Sequence, residues 1–286
     1  MRITEIRPVR WAIHFNDRLM AHQVSEQATV IAFNIVYAMF PLVLSLTAIG
    51  GFIVRGAVAR GQLLAAVRAA FPIQLAKEMT DVINAAGNYP GIIGLVGFVT
   101  LLVAGSNLFA AIEVAFSRIF GVPPRGIVHQ RAVAVMMILV FSALLVVSVA
   151  ASNVAVFLRG SQPGPGGPHP VWPGGRYLGL IGGWVFTVLM QLVIYVVIPN
   201  ARMPFRAVWP GAVLAGTALQ ATTLVFPLYI RYVAGLNRFG DAFSLVFLVM
   251  TWAYFLAFIL LGGAEVIAMQ FAKAAAAPSP GGASES

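Results

Sequence analysis

Apolar residues dominate six long stretches of the chain, and each stretch is separated from the next by a more polar segment. A helix that crosses a bilayer needs roughly 20 mostly apolar residues, and all six stretches are long enough. The predicted spans are residues 28–54, 91–117, 132–158, 177–199, 208–230 and 242–270. The pattern predicts an all-α polytopic membrane protein, with six transmembrane helices in one bundle.

Two segments outside these spans have the pattern of surface helices. Residues 9–22 alternate apolar and charged side chains, as amphipathic helices at membrane surfaces do. Residues 55–90 have helical periodicity but carry too many charges to span, so we expect them to lie on the bilayer surface or to cap the bundle. The predicted organisation is a cytoplasmic N-terminal segment at 1–27, a six-helix domain at 28–272 and a disordered tail at 273–286.

Composition supports a membrane protein and narrows the chemistry. The chain has 286 residues, of which 60% are hydrophobic and only 9% are charged, whereas soluble domains carry about 25% charged residues. It has no cysteine, which excludes disulfides and thiolate metal sites. The net charge of +9 comes mostly from loop arginines, a pattern that fits topology and anionic lipid headgroups better than nucleic acid. We expect a bacterial inner-membrane protein with both termini cytoplasmic and membrane lipids as its surroundings.

Motifs for catalysis are missing from the sequence. The four histidines are scattered over predicted loops, and the chain has neither a nucleophile elbow nor a phosphate-binding loop. We therefore expect a protein that is not an enzyme and that has no catalytic residue, metal site or cofactor. The sequence identifies neither the substrate nor the oligomeric state.

A proline inside the first span points to a polar helix face. Successive residues lie 100° apart on a helix, which places Asn34, Tyr37, Pro41 and Ser45 within a stripe of about 60°. Pro41 frees the carbonyl of Tyr37, and hydrocarbon offers no donor to that oxygen. We therefore expect this stripe to be buried in the bundle or to line a wet cavity.

Other spans carry polar residues that could complete such an interior. On the second and sixth spans these residues align with two carboxylates, and the fourth and fifth spans contribute a few more. The candidate pathway residues are Asn34, Tyr37, Pro41, Ser45, Ser106, Glu113, Ser117, Gln191, Tyr195, Gln220, Tyr254 and Glu265.

Two interpretations are open for the two carboxylates within predicted spans, Glu113 and Glu265. A charged residue at a helix centre costs about 2.5 to 3.5 kcal/mol on insertion scales, so such residues are functional candidates by default. Either could instead be an interfacial carboxylate paired with an arginine; Arg118 lies five residues after Glu113. For Asn34 and Tyr37 the alternative is interhelical hydrogen bonding that only stabilises the bundle.

Four segments of the chain resemble the YihY or BrkB family of bacterial inner-membrane proteins, once described as ribonuclease BN. The segments are "YAMFPLVLSL", "SNLFAAIEVAFSRIFGV", "YVVIPNARMPFRAVWPGA" and "RFGDAFSLVFLVMTWAYFLAFILLGGAEVIA". Positions that match the family pattern are Pro41, Arg118, Pro199, Pro210, Gly211, Gly240, Gly262 and Glu265. The resemblance implies a six-helix membrane protein of poorly defined activity that has been proposed as a transporter.

These observations leave three functional hypotheses. The first is a transporter or exporter of an unknown small-molecule or lipid substrate, in which spans 1, 2 and 6 line a polar interior and Glu113 takes a proton or cation. The second is an envelope-organising protein that binds lipids or partners without transport. The third is a ribonuclease. It is the weakest hypothesis because the sequence shows no catalytic metal cluster and no soluble domain to hold RNA.

Overall fold

The computed structural model describes residues 7–53, 80, 90–158, 173–201, 203–233 and 241–275. Within these ranges the chain is helical and has no strand. The helices are α1 Arg7–Ala21, α2 Val24–Ile53, α3 Pro90–Phe120, α4 Ile127–Leu158, α5 Pro173–Val197, α6 Phe205–Val233 and α7 Asp241–Ala275. The all-α fold predicted from the sequence is confirmed for the described part of the chain.

Helices α2 to α7 coincide with the six predicted spans, one helix to each span. Judged by length and composition, three stretches of the described residues are suited to cross a membrane: Leu95–Phe120, Phe205–Phe226 and Val246–Ala272. Two further apolar helical stretches, Ile127–Phe141 and Ile181–Val197, are shorter. Six membrane crossings therefore stay a prediction, whereas the helical nature of all six segments is observed.

The predicted amphipathic helix at 9–22 is present as α1, over Arg7–Ala21. Its side chains Trp11, Ile13 and Met20 are exposed, as expected of a helix that rests on a bilayer surface. The second predicted surface helix, at 55–90, lies almost wholly outside the described residues. So does most of the predicted tail, although α7 continues to Ala275.

Helix α3 ends at a left-handed glycine. Gly121 has φ of +66°, and the N–H of Val122 donates to the carbonyl of Ser117 at 3.1 Å. This is the arrangement in which glycine closes a helix, because a residue with a Cβ is disfavoured there. Pro123 and Pro124 follow and prevent the helix from resuming. The turn brings the next arginine, Arg125, back toward α3.

Helices α2, α3 and α7 form the centre of the described bundle. Helix α2 packs along α3 and α7, and α4 packs on α3. The α5–α6 pair joins the bundle mainly through the packing of α6 on α7, to which α5 adds side-chain contacts. Helix α1 touches both α2 and α7. Arg18 contacts Glu265 on α7, and Gly263 nearby lies beside Tyr195 near the end of α5. Arg125 binds the carbonyl of Pro199 just past that end, so the α1–α2, α3–α4 and α5–α6 connections lie at the same end of the bundle.

Small residues allow the closest helix crossings. A Cβ added to Gly211 on α6 would lie 2.7 Å from the carbonyl oxygen of Gly263 on α7. One added to Gly216 would lie 2.6 Å from the side chain of Val188 on α5. Small residues let membrane helices approach at backbone distance, where van der Waals packing is strongest. These glycines therefore fix how α5, α6 and α7 pack together.

Candidate functional site

Glu113 is buried near the C-terminal end of α3 and is held by Arg125. Only 2% of its side chain is exposed. The backbone N–H of Arg125 donates to Glu113 Oε1 at 2.9 Å, and Arg125 Nη1 lies 3.4 Å from the same oxygen. The carboxylate thus accepts a backbone hydrogen bond and forms an ion pair with one residue. Its partner is Arg125 and not Arg118, which is exposed.

The guanidinium of Arg125 also binds the end of α5. Its Nη1 donates to the carbonyl of Ile198, and its Nη2 donates to the carbonyl of Pro199 at 3.1 Å. These carbonyls lie just past the last turn of α5, where the helix provides no donors for them. A cation also interacts favourably with the negative end of the helix dipole. One side chain therefore joins the α3–α4 connection to the end of α5.

A second hydrogen bond supports the same junction. Asn200 Nδ2 donates to the carbonyl of Pro123 at 3.2 Å. The α3–α4 and α5–α6 connections are thus joined from both sides. Among its described side chains, helix α4 contributes no partner to this cluster; its Arg131 instead donates to Asn107 on α3 at 2.8 Å.

Glu265 forms a separate ionic cluster with α1. Its side chain is fully buried in α7. Arg18 Nε donates to Glu265 Oε2 at 2.9 Å, and His22 Nδ1 is within hydrogen-bonding distance of Oε1. Arg18 and His22 are about one-quarter exposed. Both carboxylate oxygens are satisfied, and the pair ties the surface helix α1 to α7.

Tyr195 occupies the interior between these clusters. Its hydroxyl donates to the carbonyl of Leu260 on α7 at 2.7 Å. Its ring packs against that of Phe116 on α3, with centroids 5.7 Å apart. Gly263 lies directly beside the hydroxyl. Tyr195 therefore connects α3, α5 and α7 at a single point.

Two buried polar atoms have no hydrogen-bond partner in the described part of the protein. They are Ser117 Oγ on α3 and Gln191 Oε1 on α5, in side chains that are 9% and 5% exposed. Ser117 lies one helical turn from Glu113, and Gln191 lies one turn from Tyr195. Stranding a buried polar group costs about 1 to 3 kcal/mol, so each such atom needs an explanation.

The predicted stripe on α2 is not an interior surface along its whole length. Pro41 is buried, but 51% of Tyr37 is exposed, and the Asn34 amide donates to the carbonyl of Val30 on its own helix. Tyr37 is therefore not buried among the described residues, and whether the stripe lines a wet cavity stays a prediction. The side chain of Ser45 lies outside the described part.

The remaining predicted residues divide between α3, α5, α6 and α7. Ser106 is buried on α3, and Gln220 is partly buried on α6. Tyr254 on α7 shares a hydrogen bond of 2.8 Å with Ser25 on α2. Among the described residues, the buried polar side chains thus come from the second, fourth and sixth predicted spans.

Sequence reasoning missed three residues of the site: Arg18, His22 and Arg125. All three lie in segments interpreted as surface or loop. A signal was present for two of them, because Arg18 and His22 are four residues apart and so share one face at the end of α1. For Arg125 the preceding glycine and prolines indicate that the helix ends, but they do not indicate which partner the side chain meets. No group of three potential metal ligands occurs among the described residues.

Fold and site together define a helical membrane protein with an ionic layer at one end of its bundle. The family model for virulence factor BrkB matches residues 15–285. The chain therefore belongs to the BrkB family, which confirms the resemblance seen in the sequence.

Curated relatives carry the name UPF0761 membrane protein. The chain is 26% identical to one from Chromohalobacter salexigens over 258 residues, which cover 88% of this chain and 61% of the relative. It is 29% identical to one from Pseudomonas aeruginosa over 174 residues, 60% of this chain and 41% of the relative. It is 36% identical to one from Chromobacterium violaceum over 84 residues, 29% and 20% of the two chains. The chain thus matches less than two thirds of the length of these relatives, and no solved structure matches it.

Proposed function

We propose that this BrkB-family protein is a membrane transporter whose substrate path runs between α3, α5 and α7. The observation that carries the proposal is the pair of buried oxygens, Ser117 Oγ and Gln191 Oε1, that have no protein partner among the described residues. In a bilayer, water is not available to satisfy such atoms unless a hydrated path reaches them. A path that carries a polar substrate gives both atoms a partner.

In this proposal the Glu113–Arg125 pair is a gate at one end of the path. Arg125 links the α3–α4 connection to the end of α5, and Ser117 lies one turn from Glu113 on the same helix. Separation of the pair would part these two connections and free the carboxylate of Glu113. A free carboxylate at that depth can take a proton or a cation, which couples opening of the gate to an ion gradient.

A second candidate function is an envelope protein that binds lipids or partners without transport. The observation that favours it is the complete pairing of both buried carboxylates. Fully paired buried charges are what a rigid bundle requires, and they need no hydrated path. The two functions therefore differ in whether water reaches the region between α3, α5 and α7.

Because the chain contains no cysteine, single cysteines can be introduced without removing native ones. We would place Ser117→Cys or Gln191→Cys in the full-length protein in membrane vesicles and add a charged methanethiosulfonate reagent. Transport predicts that both positions react. Matched controls are Ala115→Cys on α3 and Ala215→Cys on α6, which replace buried apolar residues and should not react. Unreactive cysteines at 117 and 191 would exclude a hydrated path.

The gate has its own readout in proteoliposomes that contain a pH-sensitive dye. Arg125→Gln should increase proton flux, because Glu113 is no longer held. Glu113→Gln should lower the proton flux below that of wild type, because the carboxylate that takes the proton is absent. Equal flux in wild type and both variants, together with unreactive cysteines, would support the second function.

A further inference from the structure

The hydroxyl of Ser117 lacks the local partner that threonines on the helices of this protein use. A hydroxyl in a helix can donate to the carbonyl four residues earlier, which satisfies it without a neighbouring helix. The threonines that do so are Thr29, Thr100, Thr187, Thr222 and Thr223. Ser117 is buried, makes no such bond, and its Oγ has no partner among the described residues. Its hydroxyl is therefore available to a molecule that enters the path.

Gln191 presents an acceptor that needs a donor. Its side chain is 5% exposed, and Oε1 has no partner within the described part of the chain. Tyr195, one turn further along α5, cannot supply the hydrogen, because its hydroxyl donates to the carbonyl of Leu260. A carboxamide oxygen only accepts. A molecule bound at Gln191 must therefore bring either an O–H or N–H group or a positive charge.

Both oxygens lie close to a direct contact between α3 and α5. Phe116, which precedes Ser117, packs against the ring of Tyr195, and Tyr195 is one turn from Gln191. Ser117 and Gln191 thus belong to the region where these two helices meet, and the proposed path runs through that region.

The charges of the buried side chains favour an uncharged substrate. Glu113 and Glu265 are the charged residues that are buried among the described ones, and each forms an ion pair with an arginine, Arg125 or Arg18. Separation of the Glu113–Arg125 pair would release one charge of each sign, so the path would gain no net charge. An ion that left water for this interior would find no net counter-charge to offset its desolvation.

We propose that the substrate is a soluble, uncharged polyol, a molecule with several hydroxyl groups. The inference rests on the transport path proposed above and names what that path carries. A hydroxyl both donates and accepts, so one such molecule can serve Gln191 Oε1 and Ser117 Oγ. Both side chains are at least nine-tenths buried, away from the exposed faces that meet acyl chains, which favours a soluble molecule over a lipid. The membrane potential does not drive an uncharged substrate, so the proton taken by Glu113 would supply the driving force.

The test measures uptake of radiolabelled erythritol, ribitol and sorbitol into proteoliposomes of the full-length protein, with sodium and chloride uptake measured in parallel. Wild type should take up at least one polyol in a saturable way and neither ion. Gln191→Met, which has a similar shape but no amide, should raise the KM roughly ten-fold at an unchanged maximal rate, because one hydrogen bond to the substrate is lost. Ser117→Ala should raise the KM in the same direction.

Thr187→Ala is the matched control, because Thr187 also lies on α5 but donates to the carbonyl of Gly183 on its own helix. It should leave the KM unchanged, and melting temperatures would show that all three variants are folded. Saturable uptake of sodium or chloride without uptake of a polyol would overturn the substrate class and leave transport in place. Reactive cysteines at 117 and 191 together with permeation of water alone would also overturn it. Unreactive cysteines would refute the path itself, and the polyol with it.

Discussion

Arg125 and Glu113 are joined twice, by a backbone hydrogen bond of 2.9 Å and by an ion pair of 3.4 Å to the same carboxylate oxygen. The arrangement fixes the α3–α4 connection, because Glu113 on α3 accepts a hydrogen bond from the backbone of Arg125. It also directs the guanidinium toward the carbonyls that follow α5. The conformation of a loop is therefore set by a charge inside the bundle.

We expect Arg125→Gln to destabilise the protein more than Glu113→Gln. Loss of the arginine leaves a buried carboxylate without its counter-ion, which costs about 3 to 5 kcal/mol for buried pairs. Glu113→Gln removes the carboxylate charge, but Arg125 keeps its carbonyl partners at the end of α5, so the loss of stability is smaller. Thermal unfolding in detergent micelles measures both effects.

The double variant, Glu113→Gln with Arg125→Gln, should recover part of the stability lost in Arg125→Gln alone. Recovery occurs because no unpaired buried charge is left. Arg206→Gln serves as the control for loss of an arginine. Additive effects of the two substitutions would show that the pair is not coupled energetically.

Adjacent glycines on α7 should respond in opposite ways to alanine. A Cβ at Gly263 would overlap the hydroxyl of Tyr195 and lie 2.8 Å from Ala215 Cβ, so Gly263→Ala should cost about 1 to 3 kcal/mol. A Cβ at Gly262 would meet only the ring of Phe15, at 3.8 Å. Gly262→Ala should be neutral or stabilising by about 0.5 to 1 kcal/mol, because alanine favours the helix. Equal melting temperatures for the two variants would contradict the crossing described for α5, α6 and α7.

Glu265→Gln should loosen α1 from the bundle. The substitution removes the charge that Arg18 and His22 both contact, and these residues can be solvated because they are partly exposed. Hydrogen–deuterium exchange of residues 7–21 should become at least roughly ten-fold faster, the change that 1.4 kcal/mol produces. Glu26→Gln, at an exposed carboxylate of α2, should leave exchange in α1 unchanged. Unaltered protection of α1 in Glu265→Gln would show that apolar contacts alone hold it.

Much of the fold followed from the hydrophobic pattern, and much of the site did not. Helix positions depend on runs of apolar residues, which can be read locally, and α1 was recognised from the alternation around Arg18. The partners of Glu113 and Glu265 depend on which connections fold back over the bundle, and Arg125 is brought inward by Gly121 and two prolines acting together. The exposure of Tyr37 likewise depends on which part of α2 its neighbours cover. Such relations arise from packing between helices and leave no periodic signal.

The three described connections at one end of the bundle should share one side of the membrane, and we expect that side to be the cytoplasm. Exposed positions suited to single cysteines are Asp17, Gly126 and Pro204. In intact spheroplasts all three should be inaccessible to an impermeant thiol reagent, and all three should react after permeabilisation. If one site reacts in intact spheroplasts and another does not, the three connections do not share one side of the membrane.

The tie between Arg18 and Glu265 joins residues 247 positions apart, which has a consequence for biogenesis. The ribosome makes α1 well before α7, so the arginine waits without its counter-charge until α7 has entered the bilayer. A chain that stalls before α7 is complete cannot close this pair, and its first helix stays loosely attached. The attachment of α1 therefore reports whether α7 has joined the bundle.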